Sequence, residues 1–137
     1  MGATPTQPLL RLDDDGLAFL TERVIGTLAS TRADGTPHLA PVGFTVDLAT
    51  GTAWIITDGG SAKAANLRRS PLAAVSQVQG ARWISLDGVA TVHDDAATVA
   101  EAVERYAARY KPPRPNPTRV AIALEVRRVM ASRSLLR

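Results

Sequence analysis

The sequence contains no cysteine, only two lysines and two histidines, and aromatic residues make up 4% of its 137 positions. Each shortage removes a class of chemistry. Without cysteine there is no disulfide, no thiolate metal site and no cysteine nucleophile, so stability rests on the core and on assembly. His38 and His93 fall in no H-E-x-x-H or other clustered ligand spacing, so no metal site is expected. Ser-His-Asp hydrolysis lacks its G-x-S-x-G elbow, and Asp13 to Asp15, Asp94 and Asp95 read as helix-start acids rather than catalytic pairs. Scarce aromatics and lysines, with no helix-turn-helix, zinc-finger or RNA-binding-sheet signature, argue against nucleic acid as a partner. No apolar run approaches the roughly 20 residues of a membrane span, and MGATPTQPLLRLDDD lacks the basic-then-apolar order of a secretory signal. The expectation is a cytoplasmic protein with no membrane partner.

What is present is a globular composition, with 45% hydrophobic and 21% charged residues. The length suits one domain, expected over residues 13–137 behind a flexible N-terminal arm at 1–12. The formal charge of +3 hides an asymmetry: residues 1–99 carry 7 Lys/Arg against 10 Asp/Glu, and residues 100–137 carry 9 against 3. Of the 16 basic residues 14 are arginine, which suits planar, bidentate contact with carboxylate or phosphate. An anionic small molecule is therefore a candidate partner.

Along the chain, Asp13 to Arg23 predicts a short helix, with acids first and an arginine last. VIGTLASTR and PHLAPVGFTV, separated by Ala33-Asp34-Gly35-Thr36, predict a hairpin whose second strand turns Ala40, Val42, Phe44 and Val46 to the core. Pro41 and Gly43 on the other face predict an edge, a bulge, or a place where something flat nears the backbone. TAWIITD is a strand broken by Asp58-Gly59-Gly60-Ser61, after which SAKAANLRRS predicts a helix ended by Pro71. LAAVSQVQ and RWISLDGVATVHD form another antiparallel pair. Asp95 to Lys111 has helical spacing in Val99, Ala102, Val103, Tyr106, Ala107 and Tyr110, and RVAIALEVRRV alternates as a strand. About six mainly antiparallel strands with three short helices predict an α+β split barrel. Trp54, Trp83, Ile84 and Leu86 are more apolar surface than that sheet encloses, which predicts a homodimer.

The most informative joint is Thr57 to Leu67. A strand that ends in a glycine turn and enters a helix exposes unpaired N–H groups, and Ser61 with Lys63 adds donors for an anion. It is not a Walker loop. Two readings stay open: an anion site, or a plain serine N-cap beside a solvated lysine.

TRADGTPHLAPVGFTVD followed by WIITDGGSAKAANLRRSPLAAVSQVQGARWISLDGVATV resembles the pyridoxamine-phosphate-oxidase-like split β-barrel family, in its actinobacterial branch that uses the deazaflavin coenzyme F420. AVERYAARYKPPRPNPTRVAIALEVRRVMAS resembles the ending of the F420-dependent biliverdin reductase group within that branch. The resemblance implies coenzyme F420, with FMN as the alternative cofactor, and a phosphate held by Ser61, Ala62 and Lys63 with Asn66 bracing the turn. It lays the deazaflavin along Pro41, Val42, Gly43, Ile56 and Thr57. It makes Gln77, Arg82 and Trp83 a facing wall supplied across a homodimer, although Trp83 also reads as a plain core or interface residue. Many members have a second basic residue near the lysine, where this chain has Ala62 and Ala64; Arg114 or Arg119 would complete the grip on an anionic substrate. The implied activity is hydride transfer from reduced F420 to a conjugated tetrapyrrole, biliverdin to bilirubin, with no catalytic acid or base assigned. Two alternatives remain beside it: a non-catalytic flavin, F420 or haem-pigment binder, and an FMN-dependent pyridoxamine-phosphate oxidase.

Overall fold

The computed structural model describes residues 7–137, so the first part of the expected arm, residues 1–6, lies outside the described residues. The remainder of that arm is not loose. Pro8–Arg11 forms a 3-10 turn, Leu9 and Leu12 are fully buried, and Leu12 bridges Leu136 at the other end of the chain. Two apolar side chains removed from water outweigh the freedom that the short polar context suggests.

Seven strands follow: β1 (Gly26–Thr31), β2 (Pro37–Val42), β3 (Phe44–Asp47), β4 (Thr52–Asp58), β5 (Leu72–Gln79), β6 (Arg82–His93) and β7 (Arg119–Ala131). They form one antiparallel sheet in the order β2-β1-β5-β6-β7-β4-β3. The two edges, β2 and β3, are consecutive in the chain and separated by Gly43 alone. A sheet whose edges are one residue apart has to curl, and that single residue is where the barrel is split. The expected long second strand is therefore two strands, which raises the count from six to seven. Its inward face is as expected at Ala40, Val42 and Phe44, while Val46 is only half-buried.

Alternation sets the core: Leu28, Val75, Leu86 and Val129, in register across β1, β5, β6 and β7, are all buried, with Ile55, Ile122 and Leu124 beside them. Ile84 and Leu86, expected to be surplus apolar surface, belong to this core at 1% and 0% exposure. The β6–β7 register slips at Asp87/Gly88, where a Cβ on Gly88 would lie 1.9 Å from the Glu125 carbonyl oxygen. Only glycine fits that bulge.

Three α-helices cover parts of the curled sheet: α1 (Asp14–Phe19), α2 (Ala62–Arg69) and α3 (Ala96–Arg109). Each starts on a side-chain cap, with Asp13, Ser61 and Asp95 accepting from Gly16, Ala64 and Thr98 N–H. Such caps stabilise by about 1 kcal/mol each. α1 stops four residues short of the expected end at Arg23. Thr21 directs both its N–H and its hydroxyl to the Ala18 carbonyl, at 2.9 and 2.7 Å, so side-chain bonding competes with the helix and tightens its end. The Glu22 and Val24 carbonyls are thereby released toward α3.

Candidate functional site

Three segments meet around the split. The first is the β2–Gly43–β3 break. The second is the β4 end with Gly59, Gly60 and α2, and the third is the end of α3 with the proline segment leading to β7. Between them lies a cleft of about 250 Å³. Its floor is Pro41, Val42 and Gly43 on one side and Ile56 and Thr57 on the other; Lys63 and Arg119 supply cations, and Tyr106 and Pro113 form a wall. Seven of the fourteen residues singled out from the sequence thus converge: Pro41, Val42, Gly43, Ile56, Thr57, Lys63 and Arg119.

The flat groups that approach Gly43 are the protein's own. A Cβ there would stand 2.6 Å from Tyr106 Cε2 and 3.0 Å from Tyr110 Cε2, and the two rings are 5.0 Å apart. Tyr110 is fixed: its hydroxyl donates to the Val24 carbonyl at 2.8 Å and accepts from Phe44 N–H at 3.3 Å. Burial raises its pKa, so it stays neutral. Beside it Arg109, only 7% exposed, donates to the Glu22 carbonyl at 2.9 Å, the Phe44 carbonyl at 2.5 Å and Gln77 Oε1 at 2.5 Å. Its guanidinium also lies over the Phe44 and Tyr110 rings, at 4.8 and 5.0 Å. Burial pulls the Arg109 pKa down, and electrostatic attraction from Tyr110 and Glu22 opposes that.

The opposite wall is bolted by Asp58. Its carboxylate accepts from Gly60 N–H at 2.9 Å, from the Asn116 amide at 3.3 Å and from the Thr118 hydroxyl, while Gly59 N–H donates to the Thr118 carbonyl at 2.8 Å. The Thr118 hydroxyl, the Gly60 N–H and the Asn116 amide hold its pKa below the ordinary aspartate range. The proline segment is thus tied to the glycine turn, and its Arg119 is steadied by donating to the Arg114 carbonyl at 2.5 Å. Neither Lys63 nor Arg119 has an acidic ion-pair partner among the described residues.

The other seven residues lie outside this cleft in the protomer. Ser61 Oγ is the α2 N-cap and also accepts from the Thr57 hydroxyl at 3.2 Å; Ala62 is exposed beside it. Asn66 is buried and donates to Ser30 Oγ at 3.2 Å, so it ties α2 to β1 rather than bracing the glycine turn. Gln77 has no exposed surface, and its amide is engaged by the Phe19 carbonyl at 2.8 Å and by Arg109. A side chain enclosed in this way reaches no ligand. Arg82 pairs with both Glu22 oxygens, at 2.7 and 3.1 Å, and lies over the Phe19 ring. Trp83 is half-buried on β6, and Arg114 is exposed and meets the cleft through its carbonyl alone. The sequence reading missed Asp58, Tyr106, Pro113 and Asn116. Tyr106 was hidden in the apolar stripe of α3; the D-G-G turn and the Asn-Pro pair were the available signals for Asp58 and Asn116.

Comparison with known proteins gives this geometry a family. The family model described as pyridoxamine 5'-phosphate oxidase matches residues 12–132. An F420H2-dependent biliverdin reductase of Mycobacterium tuberculosis is 54% identical over 126 residues, covering 92% of each chain. Among solved structures, a conserved hypothetical protein of Mycobacterium tuberculosis superposes with a TM-score of 0.75 at 25% identity, over 93% of this chain and 89% of the other. A structure described as an F420 reductase has a TM-score of 0.67 at 22% identity, over 82% of this chain and 94% of the other, and shares the fold. With its curled antiparallel sheet, its split at Gly43 and a family match that spans nearly the whole chain, the protein belongs to the pyridoxamine 5'-phosphate oxidase family.

Proposed function

We propose that this protein is a reductase that uses coenzyme F420 as its hydride source and biliverdin as its acceptor. The observation that carries the reading is the 54% identity, over 92% of both chains, to an F420H2-dependent biliverdin reductase. The chemistry of the cleft fits the group: a flat floor without charge, at Pro41 to Gly43 and Ile56, leads to Lys63 and Arg119. A planar ring with an anionic tail needs that combination. When bound, the deazaflavin supplies a two-electron hydride.

The protein's own residues then bind, orient and exclude water. Lys63 projects from the first turn of α2, where unpaired N–H groups add to its charge, and it holds a phosphate or carboxylate. Arg119 gives a second contact from the far side. The clamp of Arg109 and Tyr110 keeps Gly43 pressed against the α3 wall, so the floor is formed before any ligand arrives. Positioning and desolvation supply most of the catalysis when a cofactor carries the reacting atom.

Assembly as a homodimer is part of the proposal. On the outer face of β2, β1, β5 and β6, Leu39, Leu72 and Val78 are 66%, 65% and 62% exposed, and Ile25 and Trp83 lie nearby. That surface, not Ile84 and Leu86, is the apolar excess. Pro41 shares the outer face of β2 with Leu39 and also lines the cleft, so a partner seated there would complete the site. Val78→Asp is expected to give a monomer in sedimentation and to weaken F420 binding.

The function is tested by mixing the protein with reduced F420 and biliverdin and following both absorbances. Coupled loss of the two is expected; no F420H2 consumption in the presence of biliverdin removes the assignment. A cofactor-binding protein without enzymatic activity would bind F420 and give no turnover, and an FMN enzyme would copurify with FMN.

A further inference from the structure

Reduction of a linear tetrapyrrole needs a proton as well as a hydride, and nothing so far supplies it. The acids that face the cleft can be taken one by one. Neither histidine lines it: His38 is on β2, and His93 ends β6 against Trp54, with ring centroids 6.0 Å apart. Asp58 is fully engaged by Gly60, Asn116 and Thr118 and stays ionised. The Thr57 hydroxyl is bonded to Ser61. Arg119 is a guanidinium already donating to the Arg114 carbonyl. Lys63 stands beside the helix start, the place for the anion. Tyr106 remains.

Tyr106 on α3 and Tyr110, which caps its C-terminal end, lie one turn apart with opposite surroundings. The Tyr110 hydroxyl is bonded on two sides, whereas no described residue hydrogen-bonds the Tyr106 hydroxyl, although its ring lines the cleft and rests on Gly43. A phenol fixed through its ring, with its O–H unengaged beside a ligand floor, is an available donor.

Resting on the function proposed above, we infer that Tyr106 is the proton donor to the pigment. As the hydride, with both electrons, forms a C–H bond at a methine carbon, the conjugated system passes an electron pair to a ring nitrogen. The Tyr106 O–H bond breaks as the N–H bond forms there, and water returns a proton to the phenolate. Before reaction the same hydroxyl donates a hydrogen bond to that nitrogen.

Tyr106→Phe removes one oxygen that no described residue hydrogen-bonds, so folding is expected to be unaffected. Three measurements test the inference. Biliverdin titrated into the wild-type chain without F420 should show a shifted long-wavelength band, and Tyr106→Phe should return the band toward that of free pigment. Single-turnover reduction should slow by about a hundredfold in Tyr106→Phe, the range of a lost general acid, and lose its solvent isotope effect. F420 affinity should be unchanged. An unaltered band with an unaltered rate overturns the inference while leaving the reductase reading intact. Weakened F420 binding with an unaltered pigment band also overturns it, because the Tyr106 hydroxyl would then serve the cofactor and not the pigment. Absence of wild-type turnover removes the reading and the inference together.

Discussion

The two sides of α3 treat polar groups in opposite ways. Behind the cleft, Arg109 and Gln77 are buried and Tyr110 is half-buried, and the hydrogen bonds of all three end within the chain. In the cleft, among the described residues, Lys63 and Arg119 lack acidic partners and the Tyr106 hydroxyl lacks a hydrogen-bond partner. A buried polar group without a partner is costly, so evolution of a stable fold closes such networks. Groups left open at a cleft are retained for something that arrives. Residue type does not distinguish the two sides, since each has a cationic side chain and a tyrosine; the bonding does.

The largest effect should come from breaking the closed side. Arg109→Ala strands Gln77 Oε1 and the Glu22 carbonyl, and urea unfolding should show a loss of about 3 kcal/mol. Arg109→Lys should recover only part, because an ammonium cannot span carbonyls on three segments. On the open side, Lys63→Ala should leave the unfolding midpoint unchanged and weaken F420 binding by about 1.5–3 kcal/mol, read by fluorescence titration. A lower midpoint with unchanged affinity would move Lys63 to the closed class. Asp58 sits between the two regions. Asp58→Asn should loosen the Asn116–Thr118 tie and weaken F420 binding by less than Lys63→Ala does. The smallest effect is on acid stability. The Asp58 pKa is depressed in the folded state, so its contribution is present above the ordinary aspartate range and lost as pH falls through the folded value. Asp58→Asn should therefore flatten the acid limb of the stability curve.

Much of the fold was legible because period and punctuation agreed. The hairpin at Asp34–Gly35, the β5–β6 pair and the amphipathic α3 follow directly from the chain. The split at Gly43 was readable as an irregularity but not as a change of partner strand, because β2 pairs with β1 and β3 with β4, neither of which local pattern encodes. Leu9 and Leu12 looked like arm residues for the same reason: Leu12 bridges Leu136 and the turn that holds Leu9 packs on β7, both more than a hundred residues away. In the site, Lys63 and Gly43 stood out through local motifs. Arg109 did not, since an arginine on a helix reads as solvated until four carbonyl-type acceptors are found around it. Gln77 failed in the other direction, as a polar residue expected to meet a ligand that instead closes an internal network.

The central claim is that the open side of α3 is an F420 site. Fluorescence titration of F420 into the wild-type protein and Lys63→Ala, with FMN as competitor, tests it most directly. The account predicts that the wild type binds F420 in preference to FMN and that Lys63→Ala binds it at least tenfold more weakly, about 1.4 kcal/mol. Equal affinity of the two proteins for F420, or displacement of F420 by equimolar FMN, would contradict it.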